Sequence, residues 1–214
     1  MSGGEERLLE GNGANLVRER SIAHAVQRAL ERVYHLETSE PVGDYLHEAR
    51  EGERETLFVR ETNGTIEMAV RVPALGAKEI DVARGDLDPL CQLIEGVSHF
   101  VYIAERARAE REATQLELEL QAEVDKWVVL AGSLARFDAN ASEALRARLY
   151  EEIAFAHDGE IGERYRVAND LAHRYVRKLE RDYVAKKRYD GMRAELRRFY
   201  RFGQEEKLRI ARAA

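Results

Sequence analysis

Glu95 and His99 stand four residues apart in an apolar run that begins at Asp88, DPLCQLIEGVSHFVYIA. In a helix, positions i and i+4 lie one above the other, so this spacing turns a carboxylate and an imidazole to the same side. Cys91, Tyr102 and Arg106 fall along the same row. The next segment, QLELELQAEVDKWVVLA, carries Glu119 and Glu123, again four apart. Two antiparallel helices would bring these pairs together. Inward-facing Glu and His side chains on apolar helices are how helical bundles hold divalent metals. Glu95, His99, Glu119 and Glu123 are therefore candidate ligands for a divalent metal, with His157, Asp170 and His173 as further donors. The pattern departs from that of ferritin-like di-metal bundles, which use two Glu-x-x-His pairs. This chain has none and offers Glu95-x-x-x-His99 and Asp170-Leu-Ala-His173 instead. The competing expectation is the polar side of a core helix, with His99 hydrogen-bonded and Glu119 paired to an arginine. Apart from that metal, no cofactor is expected.

The second group that could do chemistry lies in the C-terminal third. There Arg177, Lys178, Arg181, Lys186, Lys187, Arg188, Arg197 and Arg198 alternate with Tyr183, Tyr189, Phe199 and Tyr200. Basic side chains neutralise phosphates, and aromatic rings stack on unpaired bases. Periodicity and a pI near 5.7 favour the other expectation, that Tyr165, Tyr175 and Tyr183 turn to the core and the arginines form a solvated face or dock on the acidic body of the same or another subunit. Cys91 is a third candidate, because a thiol near a helix N-terminus loses its proton more easily. His99 is two turns away from it, and a buried free cysteine usually behaves as a small apolar residue. No phosphate-binding glycine loop, dinucleotide fingerprint, GxSxG elbow or HExxH pair occurs.

The elements that must position these residues are read from composition and period. The chain has 214 residues, 44% of them hydrophobic and 35% charged, with three prolines. That balance favours a folded, mostly helical domain. A single cysteine excludes an internal disulfide, and no apolar leader opens the chain, so a cytoplasmic location without membrane insertion is expected. The net charge of −6 conceals an asymmetry. Residues 161–214 carry 16 Lys and Arg against 8 Asp and Glu, and the remaining 160 residues carry 18 against 32.

Taken in order, residues 1–13 are expected to be a flexible tail. A helix follows from about Asn15 to Leu36, with Ile22, Val26, Ala29, Val33 and Leu36 as its inner face. Val42 to Arg50 reads as a short helix or turn. TLFVRETNGTIEMAVRV reads as a hairpin around Asn63-Gly64, because both residues tolerate the positive φ of a tight turn. Lys78 to Val82 is a candidate third strand. Asp88 caps the apolar helix, with Pro89 at its first position. Leu116, Leu118 and Leu120 alternate as in a strand, but the helix-forming residues around them argue for helix. Asp138 or Ser142 caps a further helix running through Ile153 and Ala156. A long helix from Glu160 to Arg188 has Ile161, Tyr165, Ala168, Ala172, Tyr175, Leu179 and Tyr183 as its inner stripe. Asp190-Gly191 breaks it before a last amphipathic segment.

The expected architecture is mainly α, a helical bundle-like domain with a small β-hairpin, at about residues 56–73, packed on it. Residues 1–13 are the tail, 14–131 the helix, hairpin and core helix pair, and 132–214 a C-terminal helical segment folded together with them. The expected function is that of a non-enzymatic helical interaction or assembly protein. It would bind a protein partner, or itself as a homo-oligomer, through an acidic body and a basic C-terminal face. Nucleic-acid binding through the basic third and a carboxylate/His metal site are the alternatives.

Overall fold

The computed structural model describes residues 16–76, 80–152 and 159–214. It is mainly α, with a small three-stranded sheet packed against the helices. The centre is α2 (Asp88–Arg108), followed by α3 (Gln115–Ser133). Both are buried on most of their circumference, as helices with neighbours on several sides are. α2 packs on α3, on α1 (Val17–Tyr34) and on the sheet. α3 packs in turn on α4 (Ala139–Tyr150), α5 (Gly159–Leu179) and α7 (Gln204–Arg212). α6 (Tyr189–Arg201) closes against α1. Leu93, Ile94, Val97, Val124 and Trp127 form the middle of the core.

The local signals act as expected at several ends. Pro89 lies in the first turn of α2, where its missing N–H costs nothing, although the capping position is Leu87 rather than Asp88. The Thr114 hydroxyl accepts from the Glu117 amide and starts α3, so the Leu-Glu alternation is helical. Asp138 caps α4 by accepting from the Ala141 amide. That helix ends at Tyr150; Ile153 and Ala156 lie outside the described residues. No helix among the described residues is long and apolar enough to cross a membrane.

The hairpin forms as its sequence dictates. β2 (Thr56–Thr62) and β3 (Thr65–Val72) pair antiparallel, and Asn63 and Gly64 take φ of 52° and 76° between them. The third strand is β1 (Leu46–Glu48), which pairs in parallel with β3, Leu46 opposite Val70. This corrects the expectation for Lys78 to Val82. Lys78 and Glu79 lie outside the described residues, and Ile80 to Val82 form no strand. A 3-10 turn at Val42–Tyr45 leads into β1 and sets Leu46 against the core, a tertiary gain that a three-residue strand does not advertise locally.

Two helices differ from their periodic reading. In α1 the buried line is Ala23, Val26, Gln27, Leu30, Glu31 and Tyr34, while Ile22, Ala29 and Val33 are only half-buried. The helix is rotated by about one residue because its polar side chains have inward partners. Gln27 Nε2 donates to Glu31, Ser39 and the Glu40 carbonyl, and Tyr34 donates to Asp125. The long C-terminal helix carries its stripe through Tyr183, but its last turn is π-helical and the break falls before Asp190-Gly191. α5 passes into a π-helical turn at Glu180–Val184, and Lys187 then takes a φ of 53°. The chain therefore breaks before α6, and Asp190-Gly191 lies inside the first turn of α6.

Gly96 on α2 decides how closely the sheet approaches. A Cβ there would lie 2.7 Å from Val70 Cγ1 and 3.1 Å from Glu55 Cγ. Gly96→Ala is expected to destabilise the protein by about 1–3 kcal/mol by overpacking, despite the ~1 kcal/mol that alanine gains in a helix. Urea denaturation measures it, and unchanged or increased stability would contradict this close packing.

Candidate metal centre

α2 and α3 run antiparallel. His99 meets Glu119, and one turn earlier on α2 Glu95 meets Lys126, seven residues later on α3. Of the four residues expected to converge, Glu95, His99 and Glu119 come together. Glu95, His99 and Glu119 each offer a ligand atom, all within 4.8 Å of one another, and all three residues are buried. Glu123 is set one step aside and binds Lys126 Nζ at 2.8 Å.

Two residues that sequence reasoning missed complete the cluster. Glu55 precedes β2, and its side chain, 4% exposed, is carried onto α2 where Gly96 lets the sheet approach. Its Oε1 lies 3.4 Å from His99 Nδ1. The Glu55 amide donates to Gln92 Oε1, which anchors the segment on the same helix. Nothing local marks Glu55 within the charged run EGERE, since its partner is 44 positions away. Lys126 was legible in principle. Glu119, Glu123 and Lys126 stand at i, i+4 and i+7, one face of α3.

The imidazole of His99 thus lies between two carboxylates. Nδ1 faces Glu55, and Nε2 faces Glu119 Oε2 at 3.6 Å. Neither His99 Nε2 nor Glu55 Oε1 has a hydrogen-bond partner, although both atoms are buried. Burial works against charge on His99, but Glu55, Glu119 and Glu95 together outweigh it and hold the imidazolium up to about 9. Burial raises Glu119 to about 7, against the pull of His99. Burial likewise raises Glu55 and Glu123 above the usual carboxylate range. It opposes ionisation of Glu95 too, but Lys126 and His99 prevail and hold that carboxyl low. For Lys126, burial disfavours the ammonium, yet Glu123 and Glu95 keep it charged well above the usual lysine range. Four buried carboxylates thus face one lysine and one histidine, with Arg164 Nε 3.7 Å from Glu119 Oε1 at the edge. Burial meets this surplus of carboxyl groups by shifting three of them toward the neutral form, which a bound cation would reverse.

The remaining candidates lie elsewhere. Tyr102 and Arg106 leave the row of His99 and bind Glu117 in a separate network. Asp170 is exposed and paired with Arg174, and His173 sits beside Glu151 and Arg146. His157 lies outside the described residues. Burial pushes the Cys91 thiol up to about 12, so at neutral pH it stays protonated and is a poor nucleophile.

In the basic third, Lys178 and Arg198 pair with Glu195, Arg181 pairs with Asp182, and Arg197 donates to the Val33 carbonyl. Arg188 lies over the Tyr183 ring, and Arg177, Lys186, Lys187 and Arg188 are exposed. Lys178, Arg181, Arg197 and Arg198 are thus engaged within the protein. Tyr175 is buried and stacks on Phe199 at 4.1 Å.

No protein-family model, curated protein or solved structure matches this chain.

Proposed function

We propose that this protein binds one divalent first-row metal ion through Glu95, His99 and Glu119 between α2 and α3. The observation that carries the reading is His99 Nε2, a buried nitrogen without a hydrogen-bond partner, 3.6 Å from Glu119 Oε2 and beside Glu95. At that separation the two atoms are too far apart for a hydrogen bond. Two ligands of one ion, at bonds of about 2.1 Å in tetrahedral array, stand about 3.4 Å apart. Glu55 takes the orienting role. A metal-bound histidine gives its other ring N–H to a carboxylate or carbonyl, which fixes the tautomer and raises the basicity of the ligating nitrogen. Glu55 Oε1, 3.4 Å from Nδ1 and itself without a hydrogen-bond partner, stands where it would take that role.

One imidazole with carboxylates suits Mn(II), Fe(II) or Zn(II) better than a soft ion such as Cu(I). Ligation would also reverse the shift of the buried carboxyls toward the neutral form. Partner binding and nucleic-acid binding by the basic third draw on exposed charge, and none of its eight candidate basic residues carries a buried polar atom without a hydrogen-bond partner. The metal reading is preferred on that difference.

The test is a titration of purified, chelator-treated protein with Mn(II) and Zn(II), followed by calorimetry and by thermal denaturation. Saturation at one ion per chain with a raised melting temperature is expected. Absence of binding, or binding that leaves the melting temperature unchanged, would reject the proposal.

A further inference from the structure

Lys126 occupies an unusual place for a lysine. It is 8% exposed, and its Nζ lies 2.7 Å from Glu95 Oε2 and 2.8 Å from Glu123 Oε1. Glu95 is common to two groups. Its carboxylate belongs with His99 and Glu119, and its Oε2 is also bound to Lys126. A carboxylate shared between neighbouring cation positions is what a two-metal site uses, with the ions about 3.5–4 Å apart. Here the donors for a second ion exist, in Glu95 and Glu123, but an ammonium group already joins them. Its two contacts are somewhat longer than metal–oxygen bonds of about 2.0–2.2 Å. It supplies one positive charge where an ion would supply two.

We infer that Lys126 is the built-in occupant of a second cation position beside Glu95, His99 and Glu119, and that it limits the site to one ion. This inference rests on the metal-binding reading above. The ammonium satisfies Glu123, which would otherwise be a buried lone carboxylate, and takes one oxygen of Glu95 out of reach of a metal. Replacing Lys126 with a neutral side chain of similar length frees both carboxylates and opens the second position. Replacing it with arginine keeps a cation there.

The experiment counts manganese. Full-length protein and its variants are equilibrated with excess manganese(II) chloride and passed through gel filtration. They are then analysed for manganese per chain and by electron paramagnetic resonance. The expected result is one ion in the wild type, one in Lys126→Arg and two in Lys126→Met, the last with the spectrum of an exchange-coupled Mn(II) pair. One ion in the wild type and one in a folded Lys126→Met would overturn this inference and leave the metal reading standing. No ion in the wild type would remove the metal reading and this inference with it. If Lys126→Met does not fold, Lys126→Gln replaces it. The wild-type count tests the inference independently of any variant, since two ions per wild-type chain overturn it.

Discussion

His99→Ala is expected to abolish ion binding, and with it the rise in melting temperature on adding Mn(II) or Zn(II). His99 is the only imidazole in the cluster among the described residues, and its ring separates the carboxylates of Glu55 and Glu119. Its loss removes the one nitrogen ligand and frees Glu55 from its orienting role. An ion present at a thousandfold excess over its Kd stabilises the folded state by about 4 kcal/mol, or about 10 °C in a chain of this length. That increment should be present in the wild type and missing in His99→Ala. Glu55→Gln keeps the three ligands and weakens only the partner of Nδ1, so a loss of affinity of about 10–100-fold is expected. Because His99 holds its proton up to about 9 and Glu119 up to about 7, the ion must displace protons to bind. Affinity is therefore expected to rise between pH 6 and pH 9, with proton release measurable by calorimetry in buffers of different ionisation enthalpy. Equal affinity in His99→Ala and wild type would reject the assignment of ligands.

Lys207→Ala is expected to cost about 3–5 kcal/mol, because it leaves two buried acceptors unpaired and the truncated side chain leaves a cavity. Lys207 is fully buried on α7. Its Nζ donates to Tyr102 Oη at 2.8 Å and Gln121 Oε1 at 2.7 Å, and it lies over the rings of Tyr102 and Phe199. Gln121 donates to Asp125, which also accepts from Ser98 and Tyr34. Tyr102 donates to Glu117, and Arg106 donates to Glu117 and to the Phe202 carbonyl. Four helices, α1, α2, α3 and α7, are tied through these groups. The loss should release the C-terminal helix first, visible as faster hydrogen exchange there.

Lys207→Met preserves the volume and leaves only unpaired acceptors, a smaller cost of about 1–3 kcal/mol. Burial pushes the Lys207 ammonium well below its usual range, against the pull of Glu117. Between that depressed value and the unfolded value near ~10.4, the folded state binds fewer protons. Wild-type stability from this group therefore rises with pH across that window and falls as pH drops through the folded value. Lys207→Met lacks this dependence, so its deficit relative to wild type should shrink as pH is lowered. Urea denaturation at two pH values measures it, and a deficit that grows on acidification would contradict the assignment.

The helix pair α2 and α3 was legible because helix-forming and apolar residues run through long windows, and a helix apolar on more than one side is one with neighbours on several sides. The Asn63-Gly64 hairpin was legible because its turn demands positive φ at two adjacent residues. The rotation of α1 was not, since Gln27, Glu31 and Tyr34 turn inward to partners on other segments. The parallel strand Leu46–Glu48 is too short to carry a period, and only its pairing with Val70 to Val72 defines it. The break at Lys187 lies in a run of charged residues with no glycine or proline to announce it.

For the candidate centre, sequence alone determined the donors on each helix. Glu95 with His99, and Glu119 with Glu123, share faces because four residues make about one helical turn. What only the tertiary structure decided is which of those donors meet and what stands between them. The antiparallel packing of α2 and α3 sets His99 against Glu119 and turns Tyr102 and Arg106 away to Glu117. The close approach of the sheet at Gly96 brings in Glu55 from a distant loop. Lys126 enters between Glu95 and Glu123, and its charge determines how much of the carboxylate cluster remains for an ion. Helical spacing is a property of neighbouring residues, whereas the balance of buried charge depends on every segment that packs around it.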